Sequence, residues 1–276
     1  MNTANAPTPQ VERSFVATRS GRIHIASAGS GFPVLLLHQT PRSWDEYREV
    51  LPLLGRSWRA IAMDTLGFGD SQALPPGENS IERWAAGALD LLDALGIRRC
   101  AVVGHHTGAA VAMEIAASAP SRVAALVLSS CPYVDAPRRL AHQGKRVIDD
   151  VERRSDGSHL TEMWQRRQPF YPAGDTQLLE RFMADALKAG DLAGGGHRVL
   201  NAYAMETRLP LVTCPALVIG ATDDPHAYPA APRVAQALAG SVRVDIPGGM
   251  VPLPDQLPEV FAGTVAQFLQ GLALQP

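Results

Sequence analysis

Cysteine is scarce in this chain, with only Cys100, Cys131 and Cys214 in 276 residues. An odd, widely spaced set beside apolar runs excludes a disulfide framework and a thiolate zinc site. Buried reduced thiols in a cytoplasmic protein are expected instead. Long apolar runs are missing too: nothing approaches the roughly 18 consecutive apolar residues of a bilayer span, so no membrane partner is expected. Neither sign of charge is in excess, with 25 Lys and Arg against 27 Asp and Glu and a net charge of −2. That balance gives no electrostatic case for nucleic acid. The opening MNTANAPTPQ has neither the basic patch nor the apolar core of a signal peptide, and is expected to be a disordered leader. Internal repeats and low-complexity tracts are absent. What is present is 46% hydrophobic residues, enough to bury a sizeable core in one large domain or a domain with an insertion.

The apolar pattern sets the architecture. Residues 13–18 and 22–28 alternate like two antiparallel strands meeting at Ser20-Gly21. PVLLLH (33–38), RAIAMD (59–64), RCAVVG (99–104), VAALVLSS (123–130), PALVIG (215–220) and SVRVDI (241–246) read as further strands, several of them covered on both faces. Helical segments fall between them: SWDEYREVLPLL with Ser43 or Asp45 near its start, 81–96 capped by Ser80 and stopped by Gly96, 107–120, about 231–239, and 257–271. Such alternation predicts an α/β fold, a mostly parallel sheet flanked by helices. The rhythm breaks at about Pro132. Residues 134–209 are charged and helix-leaning, which predicts a helical cap inserted into a core made of 1–133 and 210–276.

One stretch, AVVGHHTGAAVAME (101–114), reads as strand, sharp turn and helix, a turn that usually presents a nucleophile. With LLLHQTP and Trp44, MDTLGFGDS (63–71), VIGATDDP (218–225) and IPGGMVPLPDQLPEVF (246–261), it makes five stretches in an order that resembles the α/β-hydrolase family from about residue 12 to the end. The resemblance implies that GHHTG (104–108) is the nucleophile elbow, with Gly104 and Gly108 where a side chain would collide. It also implies an acid on the 218–225 loop, a histidine in the 246–261 segment, and an oxyanion hole from the backbone N–H groups of Gln39 and Thr107.

Two positions depart from that pattern. The exposed elbow residue is His106, where the family has Ser, Cys or Asp, and no histidine follows His226, so Met250 and Val251 stand where the base would be. A Ser–acid–His triad cannot be built. The elbow imidazole can instead extend into the space vacated at Met250 and meet the acid loop. A relocated His–Asp dyad is therefore expected, with His106 as general base and Asp223 as its orienter; the adjacent Asp224, before a proline, is the alternative. Three chemistries follow. His106 can activate water against an ester, a lactone or a C–C bond next to a carbonyl. It can abstract a proton in a lyase, decarboxylase or isomerase, or it can attack directly. A rival reading is an inactive small-molecule binding or sensor protein.

His38 and His226 stand near as secondary candidates, His38 more plainly as a hydrogen-bonding residue. Tyr133, Trp164, Met250 and Val251 are expected to wall a mainly apolar pocket, with the insertion's other aromatics and methionines partly cap core. A metal ligand set drawn from His38, His106, His226 and Asp223 has no recognisable spacing, so neither metal nor cofactor is expected. The partner is a small-molecule substrate, acted on by a monomer or a homodimer.

Overall fold

The computed structural model describes residues 8–272 and 274; residues 1–7 of the expected leader lie outside the described residues. Eight strands form one sheet: β1 (Glu12–Thr18), β2 (Gly21–Ala28), β3 (Pro33–Leu37), β4 (Arg59–Met63), β5 (Cys100–His105), β6 (Val123–Ser129), β7 (Ala216–Ala221) and β8 (Val242–Ile246). Their spatial order is β1-β2-β4-β3-β5-β6-β7-β8, antiparallel only at the two edges of β2. The chain leaves β3 for β4 on one side and returns to β5 on the other. The loops following β3 and β5 therefore diverge, and the crevice between them is where open parallel sheets bind ligands.

The helices are α1 (Val50–Leu54), α2 (Ile81–Ala94), α3 (Thr107–Ser118), α4 (Ala136–His142), α5 (Ser158–Arg167), α6 (Thr176–Ala189), α7 (Leu192–Ala202), α8 (Ala231–Ala237), α9 (Leu253–Gln256) and α10 (Pro258–Gln270). Alternate residues of β3 divide between two apolar layers, as expected of a strand buried on both faces. Leu35 and Leu37 pack with Trp84 and Leu91 of α2 and Ile115 of α3, whereas Val34 and Leu36 pack with Tyr47 and with Phe261 and Val265 of α10. Ser80 caps α2 as expected, its Oγ accepting the Arg83 N–H at 3.1 Å. The single helix expected over 43–54 is two pieces: a short 3-10 helix at Trp44–Tyr47, capped by Ser43, and then α1. Pro52 explains the break, since it has no N–H for the Arg48 carbonyl and is tolerated only in a first turn. The three cysteines are unpaired, and burial pushes the thiols of Cys100 and Cys131 up to about 12, so both stay protonated.

Among the described residues, everything ordered between β6 and β7 is helical. Tyr171, Phe182, Tyr203 and Met205 of this segment are buried in apolar packing. The segment is fastened to the loop after β3 by charge. Arg42, wholly buried just beyond the cis Thr40–Pro41 bond, donates from Nε to Asp185 of α6 at 2.9 Å and from Nη1 to Asp255 of α9. Ser43 Oγ adds a bond to Asp185 at 2.8 Å. Arg181 of α6 reaches Asp45 at 2.6 Å and Asp255 at 2.9 Å. Burial pushes the Asp255 carboxyl up to about 6 against the pull of Arg42 and Arg181.

Candidate active site

The β5–α3 turn forces one side chain outward. His106 sits at φ +49, a region that a residue with a Cβ rarely occupies, and its N–H is tied to the Ser129 carbonyl at 3.0 Å. The flanking glycines make room for the bend. A Cβ on Gly104 would lie 2.1 Å from the Gly108 carbonyl oxygen, and one on Gly108 would lie 2.0 Å from that of Leu37. Only residues without side chains fit there, which fixes His106 as the presented residue.

The carboxylate facing His106 belongs to Asp224, with Oδ2 2.8 Å from Nε2. The expected orienter, Asp223, is exposed, and its Oδ1 accepts a bond from the Thr222 hydroxyl at 2.8 Å. This corrects the choice between neighbours, and the loop supplies the reason. Oδ1 of Asp224 accepts the N–H groups of His226 (2.9 Å) and Ala227 (3.2 Å), a turn that pulls the side chain inward. Burial would raise the Asp224 carboxyl, but His106 and these N–H groups outweigh it and hold the carboxyl well below its usual range. Oδ2 lies out of line with the ring N–H, so the pair touches without an aligned hydrogen bond. An ionised Asp224 at Nε2 favours the proton on that nitrogen. Nδ1 then carries the lone pair, and it makes no hydrogen bond to any described residue.

His105 points the other way and is fully buried. The Val251 carbonyl can only accept, so Nε2 of His105 donates to it at 2.8 Å; Nδ1 must then accept from Ser129 Oγ at 2.9 Å. The ring is thus a neutral strut between the elbow and the 246–261 segment. Burial, reinforced by His106, drives its pKa down to about 3 from 6.5. Between those values the unfolded chain binds a proton that the folded one refuses. The stabilising contribution is therefore complete above about pH 6.5 and is lost as pH falls toward about 3. Urea midpoints should decline over this window in the wild type and decline less in His105→Asn. Equal slopes in the two proteins would remove His105 as the cause.

The oxyanion assignment needs a correction at one residue. Gln39 spends its backbone N–H on Glu46 Oε2 at 2.8 Å and its side-chain amide on Oε1 at 2.6 Å. Burial pushes the Glu46 carboxyl up to about 8. The neighbouring Thr40 N–H has no acceptor among the described residues, and neither does that of Thr107, at the first turn of α3. Both threonines line the same cavity as His106. The pair of open N–H groups is thus Thr40 and Thr107.

That cavity, about 240 Å³, is lined by the site and by the inserted helices. Val251 and His226 are on its wall; Tyr133, Trp164 and Met250 are not. Arg233 stacks over the Tyr133 ring at 3.8 Å, Trp164 packs against the apolar core, and the Met250 N–H is bound to Gln256. Apolar surface still predominates in the lining, but Arg138, His142, Lys145, Arg146, Arg167 and His197 also contribute to it. Sequence reasoning missed these residues, although four of them crowd into 138–146. His226 packs against Phe170 with ring centroids 4.4 Å apart and makes no hydrogen bond to His106. His38 is buried between the Gln39 carbonyl and the Thr65 N–H, as a hydrogen-bonding residue should be. The one group with metal-like proximity among the described residues is His24, Asp64 and Asp70, none of which lines this cavity. Its members already serve one another, Arg13 and Lys188.

A family model described as the alpha/beta hydrolase fold matches residues 33–148, which run from β3 through the elbow into the insertion. Among solved structures, a hydrolase from Pseudomonas aeruginosa PA01 superposes with a TM-score of 0.78 at 25% identity, over 94% of this chain and 98% of its own. The chain has the α/β-hydrolase fold. The enol-lactonase from Burkholderia xenovorans LB400 shares that fold, with a TM-score of 0.77 at 21% identity over 93% of this chain and all of its own. Of curated sequences, 2-hydroxymuconate semialdehyde hydrolase of Pseudomonas sp. (strain CF600) is 34% identical over 48% of each chain. Epoxide hydrolase 2 of Siraitia grosvenorii is 39% identical over 45% of this chain and 40% of its own. The chain spans about half or less of the length of these curated relatives. Within this α/β-hydrolase fold, the sheet places the elbow after β5, the acid after β7 and the open N–H of Thr40 after β3, all at carboxyl ends of strands.

Proposed function

We propose that this chain is a hydrolase of small carbonyl compounds, an ester or lactone in the first instance, in which His106 is the general base. The observation that carries the reading is the 2.8 Å approach of Asp224 to Nε2 of the elbow histidine, beneath a cavity that also presents two open N–H groups. Nδ1 of His106 takes a proton from water, and the oxygen adds to the carbonyl carbon. The resulting oxyanion is met by the Thr40 and Thr107 N–H groups. Collapse breaks the bond to the leaving oxygen, which recovers the proton from Nδ1. Asp224 stabilises the imidazolium formed between these steps. The names of the relatives, an enol-lactonase and a semialdehyde hydrolase among them, support hydrolysis as the reaction type.

The same base without water would serve a lyase or isomerase, and the position of Nδ1 fits that chemistry as well. Turnover of an ester, lactone and β-diketone panel in ¹⁸O-labelled water separates the two. Label in the acid product is expected; turnover without label would replace hydrolysis by proton abstraction, and binding without turnover would favour a sensor. Because no serine occupies the elbow, a fluorophosphonate probe should leave residue 106 unlabelled. Stoichiometric labelling there would overturn the assignment.

A further inference from the structure

The inserted helices carry more positive charge toward the cavity than their own carboxylates neutralise. No Asp or Glu lines the cavity. Arg167 is answered by Asp149, which takes its Nε at 2.7 Å and its Nη2, with His197 against the same carboxylate at 2.7 Å. Arg146 is answered by Glu162 at 3.1 Å. Arg138, on α4, has no such partner. Its nearest acid, Asp135, is committed: Oδ1 caps the Arg138 backbone N–H at 3.0 Å, and Oδ2 pairs with Arg233 at 2.7 Å. Glu206 is held by the two Nη atoms of Arg139 at 2.6 and 2.7 Å, and Asp150 by Arg198.

What Arg138 does have is a steer. Its Nε donates to Asn201 Oδ1 of α7 at 3.4 Å, while both Nη atoms lack a partner among the described residues. Burial lowers its pKa, the mark of a guanidinium partly removed from water without full compensation. Lys145, three residues beyond α4, lines the same cavity and has no acid within ion-pair distance among the described residues. The open edge of this planar fork, formed by the two Nη atoms, matches a carboxylate in particular.

We infer that the substrate is a carbonyl compound bearing an ionised carboxylate, which Arg138 receives with Lys145 while the carbonyl lies at His106 between the Thr40 and Thr107 N–H groups. This rests on the reading of His106 as a centre for carbonyl chemistry, but its recognition step needs no turnover. A linear keto acid or the monoester of a short diacid has the required pair of groups, and the cavity of about 240 Å³ sets the scale.

Calorimetric titration with 5-oxohexanoate and with 2-heptanone, a neutral ketone of similar length, tests the inference on the wild-type protein, Arg138→Gln and Arg138→Lys. Neither probe has a bond for an ester hydrolase to cut, so failure of the hydrolase reading leaves this readout intact. The keto acid should bind wild type at least tenfold more tightly than the ketone. That preference should vanish in Arg138→Gln and survive in part in Arg138→Lys. Equal affinity of wild type for the two probes, a preference that persists in Arg138→Gln, or no binding of the keto acid at millimolar concentration would each overturn it. Equal weakening of both probes in Arg138→Gln would make Arg138 a purely structural residue and also overturn it.

Discussion

His106→Ala should lower kcat/KM on a reactive member of the ester and lactone panel by roughly 10²–10⁴-fold, the range contributed by a positioned general base. Removing the imidazole removes the elbow base that lines the cavity, while the Thr40 and Thr107 N–H groups remain. The fold should tolerate it, since the ring's contacts are the approach to Asp224 and an edge-on packing against His105, and the elbow backbone does not depend on either. Asp224→Asn is the sharper companion. The amide cannot compensate an imidazolium, and it can offer an N–H to Nε2, which would move the ring proton onto Nδ1. A large fall in kcat with little change in KM is expected there, whereas exposed Asp223→Asn should behave as wild type. The reverse pattern, with Asp223 essential and Asp224 dispensable, would sink the dyad. If His106→Ala matched wild type, the chemistry would lie elsewhere.

Arg42→Met should be the most destabilising substitution outside the elbow. Arg42 is wholly buried and answers Asp185 and Asp255 together. Removing one partner of such a cluster leaves Asp185 without a counter-charge and Asp255 with Arg181 alone, and costs about 3–5 kcal/mol. For a chain of this size that lowers the melting temperature by on the order of 10 °C. The double variant Arg42→Met/Asp255→Asn should recover part of the loss, because the stranded charge is what hurts. Urea and thermal midpoints of the three proteins decide it. If the double variant were worse than Arg42→Met, the loss would come from packing and not from charge.

The strands were legible because each is a short apolar run between turn residues, and the elbow because two glycines bracket one residue at the end of such a run. Which of two adjacent aspartates turns inward was harder. The order Asp-Pro-His-Ala held a usable signal, since a carboxylate just before a proline can cap the two N–H groups beyond it, and that is how Asp224 is held. The fate of the Gln39 N–H was not legible. It depends on Glu46, seven residues on, and on a fold that buries both. The basic residues in the cavity wall were missed for a different reason. Residues such as Arg138 and Lys145 look solvated in sequence, and whether a guanidinium faces water or a ligand depends on which acids its neighbours have already taken.

Asp224 has two oxygens, and the loop has already used one. With Oδ1 occupied by two backbone N–H groups, only Oδ2 is open, and a single imidazole can claim it. The site therefore has one vacancy for a base, whether that base comes from the elbow or from the 246–261 segment. Placing a histidine at Met250 while His106 remains would set two rings in competition for one oxygen, and the loser would lack an orienting carboxylate. A conventional serine site would need both changes together, His106→Ser to release Asp224 and Met250→His to engage it. Between this protein and that chemistry, either single substitution is a step through a poorer catalyst.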